Sequence, residues 1–154
     1  MKTFRFERSI TVPFPIEKVF EFFSQAKNLE VLTPPWFNLH ILTPQPVTME
    51  EGAMLDYRLK VRWVPLRWRS EITTWDPPHV FVDEQRRGPY RYWKHEHRFV
   101  EVDGGTRVED HVEYAVLGGS LVNALFVAPD LKKVFDYRET RLAELFAEGS
   151  GLDP

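Results

Sequence analysis

The sequence contains no cysteine, which excludes a disulfide scaffold, a thiolate nucleophile and a zinc–thiolate site, and suits a reducing compartment. Basic charge is not in excess either: 20 Lys and Arg stand against 23 Asp and Glu, a net charge of -3. Nucleic-acid binding calls for clustered Lys and Arg on a basic domain, so nucleic acid is not an expected partner. Long apolar runs are also missing. The start, MKTFRFERSITVPF, alternates apolar and charged residues and reads as a strand; a signal peptide would show a basic start and an unbroken apolar stretch. The longest weakly charged run, Ala115 to Pro129, is interrupted by Gly118, Gly119 and Pro129 and falls short of the roughly 20 residues a spanning helix needs. No membrane-spanning helix is expected, and the cytoplasm is the expected compartment.

What the sequence does have is aromatic residues, 14% of 154 positions, within a 43% hydrophobic and 28% charged composition. That length and balance predict one globular domain, over residues 1–148, with 149–154 as a frayed tail. Phe4, Phe6, Ile10 and Val12 alternate across a first strand, the pattern broken only around Arg8. Ile16, Val19, Phe20 and Phe23 then follow helical spacing, entered through Pro15, and a second short helix is predicted from Gln25 to Leu32. Strand patterns follow over Phe37–Leu42, Met54–Val64, Leu66–Trp75, Val80–Arg87, Tyr90–Val102 and Thr106–Leu117, separated by Pro- and Gly-rich turns. From about Ser120 the spacing is helical again, with Pro129 expected to divide the helix.

The predicted class is α+β: a seven-stranded antiparallel sheet, two short helices after strand one, and one long C-terminal helix. A single sheet must bury its apolar face, and only the last helix is long enough to cover it, so the sheet curves around that helix. The centre of such a fold is not filled by side chains alone and leaves a pocket.

Strand parity assigns the faces. Leu55, Tyr57, Leu59, Val61 and Trp63 are apolar against Asp56, Arg58, Lys60 and Arg62, and so face inward, as do Trp68, Ser70, Ile72 and Thr74 on the next strand. Three charges in the set Tyr92, Lys94, Glu96, Arg98 and Val100 turn it outward, placing Arg91, Trp93, His95, His97 and Phe99 inside. Phe81, Asp83 and Gln85 are candidates for further inward groups. In the last strand Val108, Asp110, Val112, Tyr114 and Val116 face in. Asp110 is the anomaly, because a carboxylate on an apolar face is costly unless it is paired. Strands lie about 4.8 Å apart, so His95 or His97 can reach it.

Three uses fit such a group: a structural polar network that fixes register, the hydrogen-bonding end of a ligand pocket, or a His–Asp pair for proton transfer. His-x-His with a carboxylate is also a generic metal pattern; no metal and no cofactor is expected here. The five tryptophans, Trp36, Trp63, Trp68, Trp75 and Trp93, read first as core packing, while several of them on one concave face also fit a cavity for a flat or aromatic compound.

The run Ile72 to Tyr114, with Trp75-Asp76-Pro77-Pro78, Phe81, Gly88-Pro89, Trp93, His95, His97, Phe99, Gly105-Thr106, Asp110 and Tyr114, resembles the helix-grip superfamily. That superfamily includes the START lipid-transfer domains, the birch-pollen allergens and the polyketide cyclase/dehydrase and coenzyme-Q-binding branches. Phe135, Tyr137 and Arg138 on the last helix add to the resemblance, which implies a helix-grip fold over nearly the whole chain and a ligand-binding role. It also leaves Arg138 free to reach inward to a carboxylate. The expected partner is a small hydrophobic molecule of lipid, polyketide, quinone or aromatic type, held by a carrier or sensor. A cyclase or dehydratase using His95, His97 and Asp110 is the alternative, and an interaction domain with a filled cavity the third. Ser120 to Ala128 reads first as a turn of helix buried on the sheet rim and alternatively as a mobile flap over the cavity mouth, with Leu121, Leu125 and Phe126 touching the ligand, an acceptor protein or a membrane surface.

Overall fold

The computed structural model describes residues 1–147; the expected tail, 149–154, lies outside them. Strand β1 (Phe4–Val12) leads through Pro15 into α1 (Ile16–Phe23), whose Ile16, Val19, Phe20 and Phe23 are all buried, and then into α2 (Asn28–Leu32). Burying four such side chains contributes roughly 1.5–3 kcal/mol each, which holds a helix too short to persist alone. Six strands follow: β2 (His40–Ile41), β3 (Met54–Val61), β4 (Val64–Asp76), β5 (Val80–Arg87), β6 (Tyr92–Val102) and β7 (Gly105–Ala115). They form one antiparallel sheet in the order β1-β7-β6-β5-β4-β3-β2. Of the strand expected over Phe37–Leu42, Phe37 closes a 3-10 turn (Pro35–Phe37) instead and β2 keeps only His40 and Ile41.

Both ends of the sheet meet the same C-terminal rod, built from α3 (Gly119–Val122), a π-helical turn (Asn123–Val127) and α4 (Ala128–Leu145). Phe6 of β1 packs on Phe135 of α4 with ring centroids 4.8 Å apart, while Arg62, at the β3–β4 turn, pairs with Asp130 at 2.9 Å. Two register shifts in the β4–β5 ladder, at Arg69/Ser70 and Ile72/Thr74, supply bulges of the kind that bend a sheet. Arg8, which interrupted the alternation of β1, reaches across to Asp136 and Glu139 of α4 at 2.8 and 2.9 Å.

Two expected turns fall elsewhere. Pro65 does not end a strand; the hairpin turns at Arg62 and Trp63, and Pro65 lies within β4, beyond the point where β5 begins to pair, a place where a missing N–H is tolerated. Pro129 does not divide the helix. Its ring cannot accept the ordinary ladder, and the preceding turn widens instead, with Ala128 N–H donating to Asn123 O.

The core lies in two parts. Val12, Phe14, Phe20, Phe23, Ile72, Phe81, Phe99, Val108, Leu142 and Phe146 fill one end solidly. The other part, around Leu55, Tyr57, Trp68, Trp93, Val112, Leu131 and Phe135, forms walls instead of a filled centre.

Candidate functional site

Between the inner faces of β3 to β6, the α2 region and the C-terminal rod lies a cavity of about 390 Å³, within the range of small-molecule sites. Its walls are apolar and aromatic: Leu55, Tyr57, Trp68, Ile72, Phe81, Tyr90 and Trp93 from the sheet, Leu29, Leu32, Phe37 and Leu39 from the α2 side, and Val127, Leu131, Val134 and Phe135 from the rod. The polar exceptions are chiefly Ser70, Asp83, His95, His97 and Arg138.

Alternation on β6 points Trp93, His95, His97 and Phe99 inward, and all four are buried. Phe81, His97 and His95 form one stack of rings, with centroid spacings of 4.0 and 3.7 Å. In the strand register His95 stands opposite Asp83, and His97 opposite both Phe81 and Asp110. The hydrogen bonds run diagonally: His95 Nε2–H donates to Asp110 Oδ1 at 2.7 Å, and His97 Nε2–H donates to Asp83 Oδ2 at 2.6 Å. Arg138 of α4, buried where a hydrophobic residue would fit the helix periodicity, donates from Nη2 to Asp110 Oδ1 at 3.4 Å. Its guanidinium lies over the rings of Phe23 and Phe135.

Electrostatics follow from these contacts. Burial pushes Asp110 up, but Arg138 and the His95 N–H outweigh it and hold the carboxyl well below the usual carboxylate range. Burial likewise opposes ionisation of Asp83, and the His97 hydrogen bond, with His95 and Arg138 nearby, holds it low. For His97, burial and the adjacent His95 prevail over the Asp83 contact and pull it down to about 4. Both carboxylates are therefore ionised at neutral pH and His97 is neutral. Asp83 makes its contacts in the cluster through Oδ2. The residue lines the cavity with its side chain 19% exposed, so it is the carboxylate of this cluster that a ligand can meet. Above it, Trp68 Nε1–H donates to Ser70 Oγ at 2.9 Å, and the Tyr57 hydroxyl lies 3.3 Å from the same oxygen. Burial pushes the Tyr57 and Tyr90 hydroxyls up, keeping both protonated.

Asp83, His95 and His97 offer ligand atoms within 4.8 Å of one another. A cation held there would displace the proton that now joins His97 to Asp83, and the two imidazoles stack face to face instead of converging. The arrangement suits hydrogen bonding and proton sharing.

Of the sequence-predicted contacts, the structure brings Trp68, Ile72, Phe81, Asp83, Trp93, His95, His97, Phe135 and Arg138 to the cavity. The remainder need correction. Trp63 lies at the hairpin tip, 93% exposed, because the chain turns one residue before the alternation ends. Arg91 is also outside, in the connection before β6. Asp110 is buried behind His95 and supports the wall without lining it, as do Val112 and Tyr114; the Tyr114 hydroxyl donates to Asn123 Oδ1 at 2.7 Å. Gln85 clamps the β5–β6 connection, its Nε2 donating to Tyr90 O at 2.7 Å and its Oε1 accepting from Tyr90 N at 3.0 Å. Tyr90 is thereby aimed into the cavity, a contact that strand parity missed because the residue precedes β6. Leu121 and Leu125 point to solvent, and Val122 and Val127 line the cavity in their place.

A curved antiparallel sheet gripping one long helix over an apolar cavity defines the helix-grip class. The chain belongs to the family described as polyketide cyclase/dehydrase and lipid transport, whose model matches residues 3–147. Solved structures of similar fold include the Zhui aromatase/cyclase from a Streptomyces species, with TM-score 0.66 and 15% identity over 96% of this chain and 99% of that one. Thalictrum norcoclaurine synthase aligns with TM-score 0.64 and 19% identity, over 92% of this chain and 95% of the other. The nucleoside-diphosphate sugar epimerase of Corynebacterium glutamicum shares 27% identity at TM-score 0.66, over 90% of this chain but 28% of that much longer one. No curated protein sequence matches this chain. The family description covers both hydrophobic-ligand binding and cyclase-type roles, and the solved neighbours share the fold.

Proposed function

We propose that the protein binds a small hydrophobic molecule of lipid, polyketide, quinone or aromatic type in this cavity, as a carrier or sensor. The observation that carries this is the unfilled volume of about 390 Å³ behind aromatic walls, with the partly open Asp83 carboxylate at its polar side. Such a pocket takes an apolar body and orients it by a single polar group. The test is mass spectrometry of an organic extract of the purified protein, followed by thermal melting with the compound found or with a hydrophobic dye. Binding of the folded state at 100-fold excess over Kd stabilises by about 2.7 kcal/mol, so a clear upward shift in Tm is expected. An extract without any organic compound, together with an unshifted Tm in dye, would rule the reading out.

Acid–base catalysis of the cyclase or dehydratase kind is a second reading, and the Asp83–His97 pair at the cavity wall favours it. The roles then differ from the sequence expectation: Asp83, not Asp110, faces substrate. Turnover of a bound compound that Asp83→Asn abolishes while binding persists would establish this reading; unchanged turnover would dismiss it.

A further inference from the structure

The β3–β4 hairpin is strongly positive in an otherwise acidic chain. Between Met54 and Arg69 it carries Arg58, Lys60, Arg62, Arg67 and Arg69 against Asp56 alone, while the whole chain has net charge -3. Arg58 stands directly opposite Arg67 in the β3–β4 ladder with no carboxylate against either among the described residues, whereas Arg69 is paired with Asp56 at 2.7 Å. Like charges in register oppose folding, so the pattern is not one that stability alone explains. The tip adds a second anomaly. Arg62 and Trp63 hold φ of 49° and 70°, the left-handed conformation that Asn and Gly adopt at least cost in a two-residue turn. Here the second position is a tryptophan 93% exposed to solvent. A bulky residue in a strained backbone with nothing to pack on points to a role outside the fold.

The tip does not stand alone. Arg62 pairs with Asp130 at 2.9 Å and lies over the Phe126 ring at 5.2 Å, which sets the hairpin beside the start of the C-terminal rod. There Leu121, Leu125 and Phe126 are exposed, within a stretch from Ala115 to Pro129 that has no charged residue. The cavity lining runs out to this same end, through Leu59 and Val61 on the hairpin and Leu117 and Val122 on the other side.

We propose that the β3–β4 tip and the start of the C-terminal rod dock together on an anionic lipid surface, with the cavity opening toward the bilayer. Trp63, Leu121, Leu125 and Phe126 enter the interface, where aromatic and aliphatic side chains are stabilised. Arg58, Lys60 and Arg67 face anionic headgroups, which removes their mutual repulsion. An apolar ligand then passes between bilayer and cavity without crossing water.

Sedimentation with vesicles tests this on the whole chain. The wild type is expected to sediment with phosphatidylcholine vesicles containing phosphatidylserine, to be released by salt, and to bind pure phosphatidylcholine weakly. Trp63→Gly removes the side chain and relieves the positive φ, so its Tm should hold or rise while its vesicle association constant falls about tenfold. Leu125→Ser, on the rod, should give a smaller loss. A wild type that ignores the phosphatidylserine vesicles overturns the proposal, and retention on a polyanion column in that case would assign the hairpin to an acidic macromolecule. A Trp63→Gly protein that binds vesicles as well as the wild type overturns it too. Vesicle binding is measured without any cavity ligand, so its failure is distinct from failure of the cavity to bind one.

Discussion

Asp110 shows how one side chain can be legible in sequence and still be misassigned. Its position on an apolar face announced a paired carboxylate, and the pairing with His95 and Arg138 is there; strand parity cannot distinguish the first layer of a wall from the layer behind it. Arg138 was legible only as a possibility, because helix periodicity does not say whether a charged residue on the buried face reaches in or out. Removing one partner of a buried charge set leaves the others uncompensated, so Asp110→Ala is expected to cost about 3–5 kcal/mol in chemical denaturation. Asp110→Asn, which still accepts the His95 N–H, should cost less, and adding Arg138→Met to it should recover part of the loss. A cost for Asp110→Ala within error of zero would show that the network carries no stability.

His97 gives the cluster a pH signature. Its pKa is about 4 in the fold and near 6.5 when unfolded, so between those values the unfolded chain binds the extra proton. Stability from this residue is therefore present above about pH 6.5 and lost as pH falls toward 4. Asp83 and Asp110, held low, add a further loss below their unfolded range. His97 is faced by Asp83 and Phe81 from β5, His95 from β6 and Asp110 from β7, and Arg138 of α4 is paired with that Asp110. Tm measured from pH 7 to pH 4 should fall for the wild type and fall less for His97→Gln; parallel curves would remove His97 as the cause.

At the level of elements, the strands were readable because alternation and turn residues agree, and the hairpin tip was not, because apolar alternation continues through Trp63 past the point where the chain reverses. The rod shows the opposite limit: Pro129 looked like a break, yet a π turn absorbs it. Neither α3 nor that π turn buries a residue, whereas α4 buries Leu131, Phe135, Arg138 and Leu142. Local opening follows buried contact. Hydrogen exchange is accordingly expected to run faster over 118–128 than over 131–146, and faster still in Asn123→Ala, which frees the segment from the Tyr114 hydroxyl. Equal protection across the rod would contradict that division.

For the molecule as a whole, the element order and the single apolar sheet face made the grip of sheet on helix deducible. The cavity's lining was deducible on the strands and not in the connections, where Tyr90, Phe37 and Leu39 owe their positions to turns and clamps that have no periodicity. One further consequence belongs to how the chain is made. β1, the first strand, pairs along its length with β7, Phe4 against Tyr114 and Val12 against Thr106. Emerging from a ribosome, β1 has no strand to bond until β7 has also emerged, while the hairpins from β3 to β6 can close earlier. Distant pairings of this kind slow folding and leave an unpaired edge exposed meanwhile. Nascent chains arrested before residue 105 should be protease-sensitive at β1, and chains extended past the C-terminal rod protected, with the change concentrated between those two lengths.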